Sequence, residues 1–344
     1  MARTSARVAT ARGSRVASWR YALRTVNPPP AAELDGVTRW LVLTRAGVLP
    51  MTITAGVVAG LLAVRDPAFE WLWWLLAFAG IVLAHVANNL MNDLFDSDTG
   101  LDTESYPRAL YAPHPILSGL ISRRGLASAA LAVNLADLAI LIVLAVARGW
   151  PVVAFALGGF VLSAAYTAPP LQLKRRGLGE LDVFLVWGPL MVGGTYYAAT
   201  GSIPWQVWLA SVPYALLCTA VLMGKHVDKI PWDAAAGVRT LPVVLGERRA
   251  RRLTQALVVG FYGAVVGCIA VGALPWPVVA VVGAIPLLVR GLPTLGRPRP
   301  AEPPRGFPVW PLWYAAVAFV HTRRAGGLLV AGLAIAAVFD IRPF

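Results

Sequence analysis

Residues 71–102 read WLWWLLAFAGIVLAHVANNLMNDLFDSDTGLD. From Trp71 to Asn92 no side chain carries a fixed charge. At 1.5 Å rise per residue, 22 residues span roughly 33 Å, the thickness of a bilayer's hydrocarbon core. The apolarity is continuous and shows no period-two alternation, so the segment reads as a helix and not a barrel strand. It then meets Asp93, Asp96, Asp98, Asp102 and Glu104 within twelve residues. A charge at mid-bilayer costs about 2.5–3.5 kcal/mol on insertion scales. The carboxylates therefore mark the point where this helix leaves the membrane.

The same reading extends along the chain. Apolar runs fall at 46–64, 71–92, 126–147, 151–168, 182–200, 204–223, 253–273, 275–289 and 325–340. The expected fold is all-α, a polytopic membrane protein with nine transmembrane helices in one bundle. Of the 344 residues 58% are hydrophobic and only 14% charged, which excludes a soluble enzyme, a disordered protein and a disulfide scaffold. Both cysteines, Cys218 and Cys268, lie inside apolar runs. The stretch 308–321, with Trp310, Trp313, Tyr314 and Phe319, is bounded by Pro311 and by Arg323 and Arg324. It reads as a helix lying in the interface. Residues 1–37 hold six arginines and no acid before Glu33. That composition fits a disordered basic cytoplasmic tail and also resembles a transit peptide; the tail is the expectation, with the membrane domain at 38–344.

Orientation follows from the basic residues. With the N-terminus inside, 27 of the 30 lysines and arginines fall on one side, leaving Arg65, Arg148 and Arg342 opposite. The positive-inside rule then makes the acid-rich loops cytoplasmic, in what is expected to be a bacterial inner or plasma membrane. The net charge of +13 is read as contact with anionic lipid and not with nucleic acid.

Seven of the 17 acidic residues sit in two windows, 92–104 and DKIPWD at 228–233. On a helix Asn92 and Asp96 share a face. Hard oxygen donors of this kind suit Mg²⁺, whose shell is completed by substrate phosphate. Asn92, Asp93, Asp96, Asp102, Asp228 and Asp233 are the expected metal ligands, holding ions that a diphosphate bridges. The alternative is a pair of solvated helix ends with turn-forming aspartates. Lys174, Lys225 and Arg239 are placed to meet phosphate; Arg175, Arg176 and 248–252 are read as topology alone. The four histidines have no ligand spacing, and no Gly-rich phosphate loop, GxSxG or HExxH is present. Gly56 with Gly60, and Gly188, Gly193 and Gly194, read as close helix packing.

These windows resemble the UbiA superfamily of intramembrane prenyltransferases. The family pattern is N-D-x-x-D with a further Asp after the second helix, and a second Asp pair after the sixth. Asn92, Asp93, Asp96 and Asp102 match the first. The spacing to Asp102 is similar to the menaquinone branch, which prenylates 1,4-dihydroxy-2-naphthoate. So are RAGVLP at 45–50, Tyr166 through Lys174, GLGELDVFLVWGPLMVGGTYY at 177–197 and AGVRTLPVVLG at 236–246. In that branch Asn-Asn-x-Arg-Asp precedes the second Asp. Here the run is Gly224, Lys225, His226, Val227, Asp228, so the acceptor is left open.

The resemblance implies Mg²⁺-dependent transfer of a prenyl group from an isoprenoid diphosphate to an aromatic acceptor. Asp96, Asp228 and Tyr166 would be catalytic, Tyr166 by its π face toward an allylic cation. Arg45, Lys174, Lys225 and Arg239 would bind substrate. Lys225 would share a face with Asp228, and His226 would meet a neighbouring helix. The rival from another class is a cation-coupled transporter, but transporter sites lie near the midplane and these acids lie at one face. A CDP-alcohol phosphotransferase would need an Asp-Gly-x-x-Ala-Arg run, which is missing.

Overall fold

The computed structural model describes residues 14–29, 34–98 and 114–341, with backbone alone for 96–98. Among these residues every regular element is helical. In chain order they are α1 (Arg15–Thr25), α2 (Gly36–Leu43), α3 (Pro50–Ala63), α4 (Trp71–Asp98), α5 (Arg123–Arg148), α6 (Trp150–Thr167), α7 (Gly179–Leu185), α8 (Gly194–Thr200), α9 (Trp205–Ala235), α10 (Leu241–Leu245), α11 (Glu247–Ala270), α12 (Ile285–Gly296) and α13 (Trp313–Val338). A π-helical segment, Val186–Gly193, joins α7 to α8, and a 3₁₀ segment, Trp276–Ala284, leads into α12.

Seven helical stretches are long and apolar enough to cross a membrane: Ala46–Ala63, Trp71–Phe95, Arg123–Arg148, Trp150–Thr167, Trp205–Ala235, Glu247–Ala270 and Trp276–Gly296. Two of the nine expected crossings fall outside that set. The run at 182–200 is broken into α7, the π segment and α8, because Pro189 inside it cannot donate to the ladder and its glycines tolerate the wider turn. The run at 325–340 is the latter part of α13. The separate interfacial helix expected at 308–321 is corrected here: residues 313–321 are the first turns of α13. Arg323 and Arg324 do not end it, because both point outward while His321, Thr322, Ala325 and Gly326 are buried on the opposite side.

The core is built from α3, α8, α9, α11, α13 and the 276–284 segment, around Val58, Tyr214, Leu217, Phe261, Leu329 and Leu333. Gly56 and Gly60 on α3 make the close approach expected of them. A Cβ on Gly60 would stand 2.3 Å from the Trp74 ring, and Trp74 Nε1 donates to the Gly56 carbonyl at 3.1 Å. The α5 helix shows the opposite environment. Leu131, Leu135, Leu138, Ile142 and Val146 are all exposed, a stripe that water would penalise and lipid tails accept.

The expectation of disorder across 1–37 is corrected for residues 15–25 and 36–37. The α1 helix turns Arg15, Arg20 and Arg24 outward and buries Ser18, Ala22 and Thr25. It packs on α2 and on the turn that precedes α3. There Gly47 admits it so closely that a Cβ would lie 2.7 Å from the Leu23 carbonyl.

Candidate active site

The α4 and α9 helices have 28 and 31 residues, so they run roughly 42 and 46 Å. A hydrocarbon core of about 30 Å leaves the last two or three turns of each beyond it. Both acid windows begin on those turns, for this geometric reason.

On α4 the polar side chains tie neighbouring segments together. Asn89 Nδ2 donates to the Thr44 carbonyl at 3.0 Å, and Asn88 Oδ1 accepts from Ser163 Oγ at 2.9 Å. Asn92 Oδ1 accepts from Thr167 Oγ1 at 2.7 Å. Asp93 is fully buried and forms an ion pair with Arg45. Arg45 takes a left-handed backbone conformation, φ 52°, between α2 and α3. For a non-glycine residue that conformation costs of order 1–3 kcal/mol.

Next to Thr167, the Tyr166 ring has Lys174 Nζ at 6.0 Å from its centroid. The Tyr166 hydroxyl lies 3.4 Å from His226 Nε2, and the other ring nitrogen, Nδ1, is 2.7 Å from Glu180 Oε1. Both His226 and Glu180 are buried. The carboxylate beside Nδ1 fixes the proton there, so in the neutral ring Nε2 accepts from Tyr166. His226 thus meets a neighbouring helix, α7, as its angular position on α9 implies.

The second window is arranged differently from expectation. Asp228 is buried, and its carboxylate sits across the first turn of α13. Oδ1 accepts the Tyr314 N–H at 3.0 Å and Oδ2 the Ala315 N–H at 2.9 Å. These are orphan donors of a helix N-terminus, which Leu312 at the N-cap position has no side-chain acceptor to satisfy. Gly224, one turn earlier on α9, makes room for this contact: a Cβ there would lie 2.8 Å from the Ala315 nitrogen. Arg299 Nη1 stands 4.0 Å from Asp228 Oδ1 and donates to the Asp228 carbonyl at 3.0 Å. Asp233, fully buried, pairs with Lys229 one turn before it at 3.1 Å.

Of the expected site residues, Arg45, Asn92, Asp93, Tyr166 and Lys174 gather at one end of the bundle, linked by the contacts above. Lys225 is half-buried on α9 and Arg239 is exposed beyond it. Asp96 continues the Asn92 face of α4 by backbone register, and Asp102 lies outside the described residues. Among the described residues no three His, Cys, Asp or Glu side chains converge as a metal site. The donor chemistry of the first window fits Mg²⁺: its sequence supplies the Asn92 amide and five acids, hard oxygen donors, of which Asp93 pairs with Arg45. In the second window both carboxylates already bond another group, Asp228 the α13 backbone and Asp233 the Lys229 ammonium, as Asp93 bonds Arg45 in the first. Sequence reasoning missed Glu180, Thr167 and Arg299. For Glu180 a signal existed: an acid at the head of an apolar run needs a partner. An apolar groove of about 210 Å³ at the end of α6 is lined by Phe160, Val161, Ala164, Pro169 and Leu171, on the face away from Tyr166.

Comparison with known proteins gives this arrangement its place. The 1,4-dihydroxy-2-naphthoate octaprenyltransferase of Mycobacterium tuberculosis is 33% identical over 262 residues, 73% of this chain and 84% of that protein. The 2-carboxy-1,4-naphthoquinone phytyltransferase of Synechocystis is 27% identical over 281 residues, 79% of this chain and 88% of that protein. In fold the chain is similar to a UbiA homolog from Archaeoglobus fulgidus bound to GPP and Mg²⁺. The TM-score is 0.53 at 16% identity, covering 85% of this chain and 99% of the other. The UbiA prenyltransferase family itself matches residues 51–321. The chain belongs to the UbiA prenyltransferase family, and it is a membrane prenyltransferase.

Proposed function

We propose that the protein transfers a prenyl group from an isoprenoid diphosphate to an aromatic, quinone-precursor-like acceptor, with 1,4-dihydroxy-2-naphthoate the first acceptor to try. The observation that carries this reading is the linked set Arg45–Asp93, Asn92–Thr167 and Lys174–Tyr166, which draws four segments to one end of the bundle. Asn92, Asp93, Asp96 and Asp102 are the residues that would hold Mg²⁺. The ion would supply neutralisation of the diphosphate charge. Arg45, fixed by Asp93, keeps a guanidinium beside that window. Lys174 places a cation over one side of the Tyr166 ring, and the other π face is the one Tyr166 would offer to the developing allylic cation. In this reading the chain crosses the membrane nine times, counting 179–200 and 313–338, with the acid-bearing loops cytoplasmic.

Membranes containing the protein are incubated with a radiolabelled prenyl diphosphate, Mg²⁺ and candidate acceptors, and the products weighed by mass spectrometry. Prenylated acceptor formed only with Mg²⁺ is the expected result. Metal-dependent uptake of a cation without product would favour the transporter reading and overturn this one.

A further inference from the structure

The side of α13 turned away from the bundle is a single stripe. Val320, Arg324, Gly327, Ala331, Ile335 and Val338 are all exposed and follow one another at spacings of three and four. Arg323, beside the stripe, is exposed as well. The depth of the two arginines follows from the far end of the helix. Val338 closes α13, and Asp340 just beyond it pairs with Arg65 at the end opposite the acid windows. A hydrocarbon core of about 30 Å takes about 20 residues, so counted back from Val338 it begins near Phe319. Arg323 and Arg324 therefore fall about one turn inside it.

A charge facing lipid at that depth is unfavourable unless it reaches the headgroups and meets an opposite charge there. Helical side chains lean toward the N-terminus, which on α13 is the headgroup direction. Arg323 shows this: its guanidinium lies over the Phe319 ring, one turn earlier, 5.9 Å from the centroid. The chain supplies little opposite charge on this side. From Arg248 to Phe339 the sequence has ten arginines and one acid, Glu302, which stands in the loop between α12 and α13. Among the described residues no carboxylate pairs with Arg323 or Arg324. One turn deeper, Gly327 has open space where a Cβ would stand, and the exposed Ala331 follows, so the helix surface there is shallow.

We propose that Arg323 and Arg324 form a binding site for an anionic phospholipid of the leaflet at the basic end. Its phosphodiester lies on the two guanidinium groups and an acyl chain runs along Gly327 and Ala331. Guanidinium is weakly hydrated and takes phosphate oxygens in pairs, which suits a phosphate at the edge of the hydrocarbon. The site rests on the reading of 313–338 as a membrane crossing and is independent of the acceptor and of the prenyl donor.

The test puts a bimane label on Val320→Cys in the full chain, one turn from Arg324 on the same stripe; native Cys218 and Cys268 are buried. The protein is reconstituted in phosphatidylcholine bilayers carrying an equal small fraction of either brominated phosphatidylglycerol or brominated phosphatidylcholine. An arginine near an anionic surface is worth a factor of about five, so two give the phosphatidylglycerol a roughly thirtyfold preference in quenching. Arg323→Gln/Arg324→Gln should bring the two lipids level, and Arg323→Lys/Arg324→Lys should keep a preference. Equal quenching with both arginines present overturns the proposal, and so does a preference that survives the double glutamine change. A preference abolished by inorganic phosphate would mean a site for a free anion and overturn the lipid assignment. Bimane at Val320→Cys quenched by neither lipid, with Ile335→Cys quenched by both, would mean that another protein surface covers the arginines. Bimane at Ile335→Cys that neither lipid reaches would instead overturn the crossing of α13 itself.

Discussion

Asp228 and His226 lie two residues apart on α9 and are both buried, yet each answers to a different helix. Asp228 completes the N-terminus of α13, so its removal leaves two backbone N–H groups without their acceptor. An unsatisfied buried donor costs about 1–3 kcal/mol. Asp228→Ala should therefore lower the unfolding midpoint in detergent by several degrees. A midpoint equal to wild type would return Asp228 to the list of purely catalytic acids. His226 is the partner of Glu180, and stranding a buried hydrogen-bond partner costs about 1–3 kcal/mol, more for a charged group. His226→Ala should lose stability, whereas Lys225→Ala should keep it and lose turnover. Adding Glu180→Ala to His226→Ala should recover part of the loss, measured as the same midpoint. This changes the weight given to His226 from sequence, where only its direction on the helix was readable and not the acid it would meet.

Among the elements, the long apolar helices were legible because their signal is local: 20-odd uncharged residues force one solution in a bilayer. What escaped the sequence depends on distant partners. The α13 helix begins where it does because Asp228, 86 residues earlier, caps it. The 182–200 run bends through a π segment at Pro189. Arg323 and Arg324 look like a helix boundary until one sees that they share the outward face. The α1 helix is short, basic and weakly patterned, and it is held by docking on α2. There Asp35 caps α2 through the Thr38 N–H at 3.0 Å and hydroxyl at 2.6 Å, and accepts from Trp19 Nε1 of α1 at 3.2 Å. The Thr38 contacts first, and Trp19 after them, hold the Asp35 carboxyl at about 2, below its usual 3.8. A depressed carboxyl contributes stability above its unfolded value and loses it as pH falls toward the folded one. Hydrogen exchange at 15–25 and 36–43, corrected for intrinsic rate, should lose protection between about pH 4 and pH 2. Asp35→Ala should show the same loss at neutral pH. Protection that persists in this variant would mean that α1 is held by its apolar contacts alone.

At the scale of the whole molecule the two ends of the bundle carry different electrostatics. At the end opposite the acid windows, Arg148 pairs with Glu70 at 2.8 Å and Arg65 pairs with Asp340, while Asp66 accepts from the Tyr196 hydroxyl. Arg65 and Arg148 are each paired with an acid there, which lowers the net charge of that end. In the sequence, 27 of the 30 lysines and arginines fall in the tail and loops expected at the other end. The orientation proposed above rests on this asymmetry: the positive-inside rule would put the basic end, and the acid windows with it, in the cytoplasm. A pair of introduced cysteines tests the orientation, since native Cys218 and Cys268 are buried and give little background with a membrane-impermeant maleimide. Ala68 is exposed between α3 and α4, at the end opposite the acid windows, and Ser97 lies at the last turn of α4, at the basic end. Ala68→Cys should be labelled in intact cells, and Ser97→Cys only after permeabilisation. The reverse pattern would invert the protein, place the acid windows outside, and require a diphosphate supplied from the far side of the membrane.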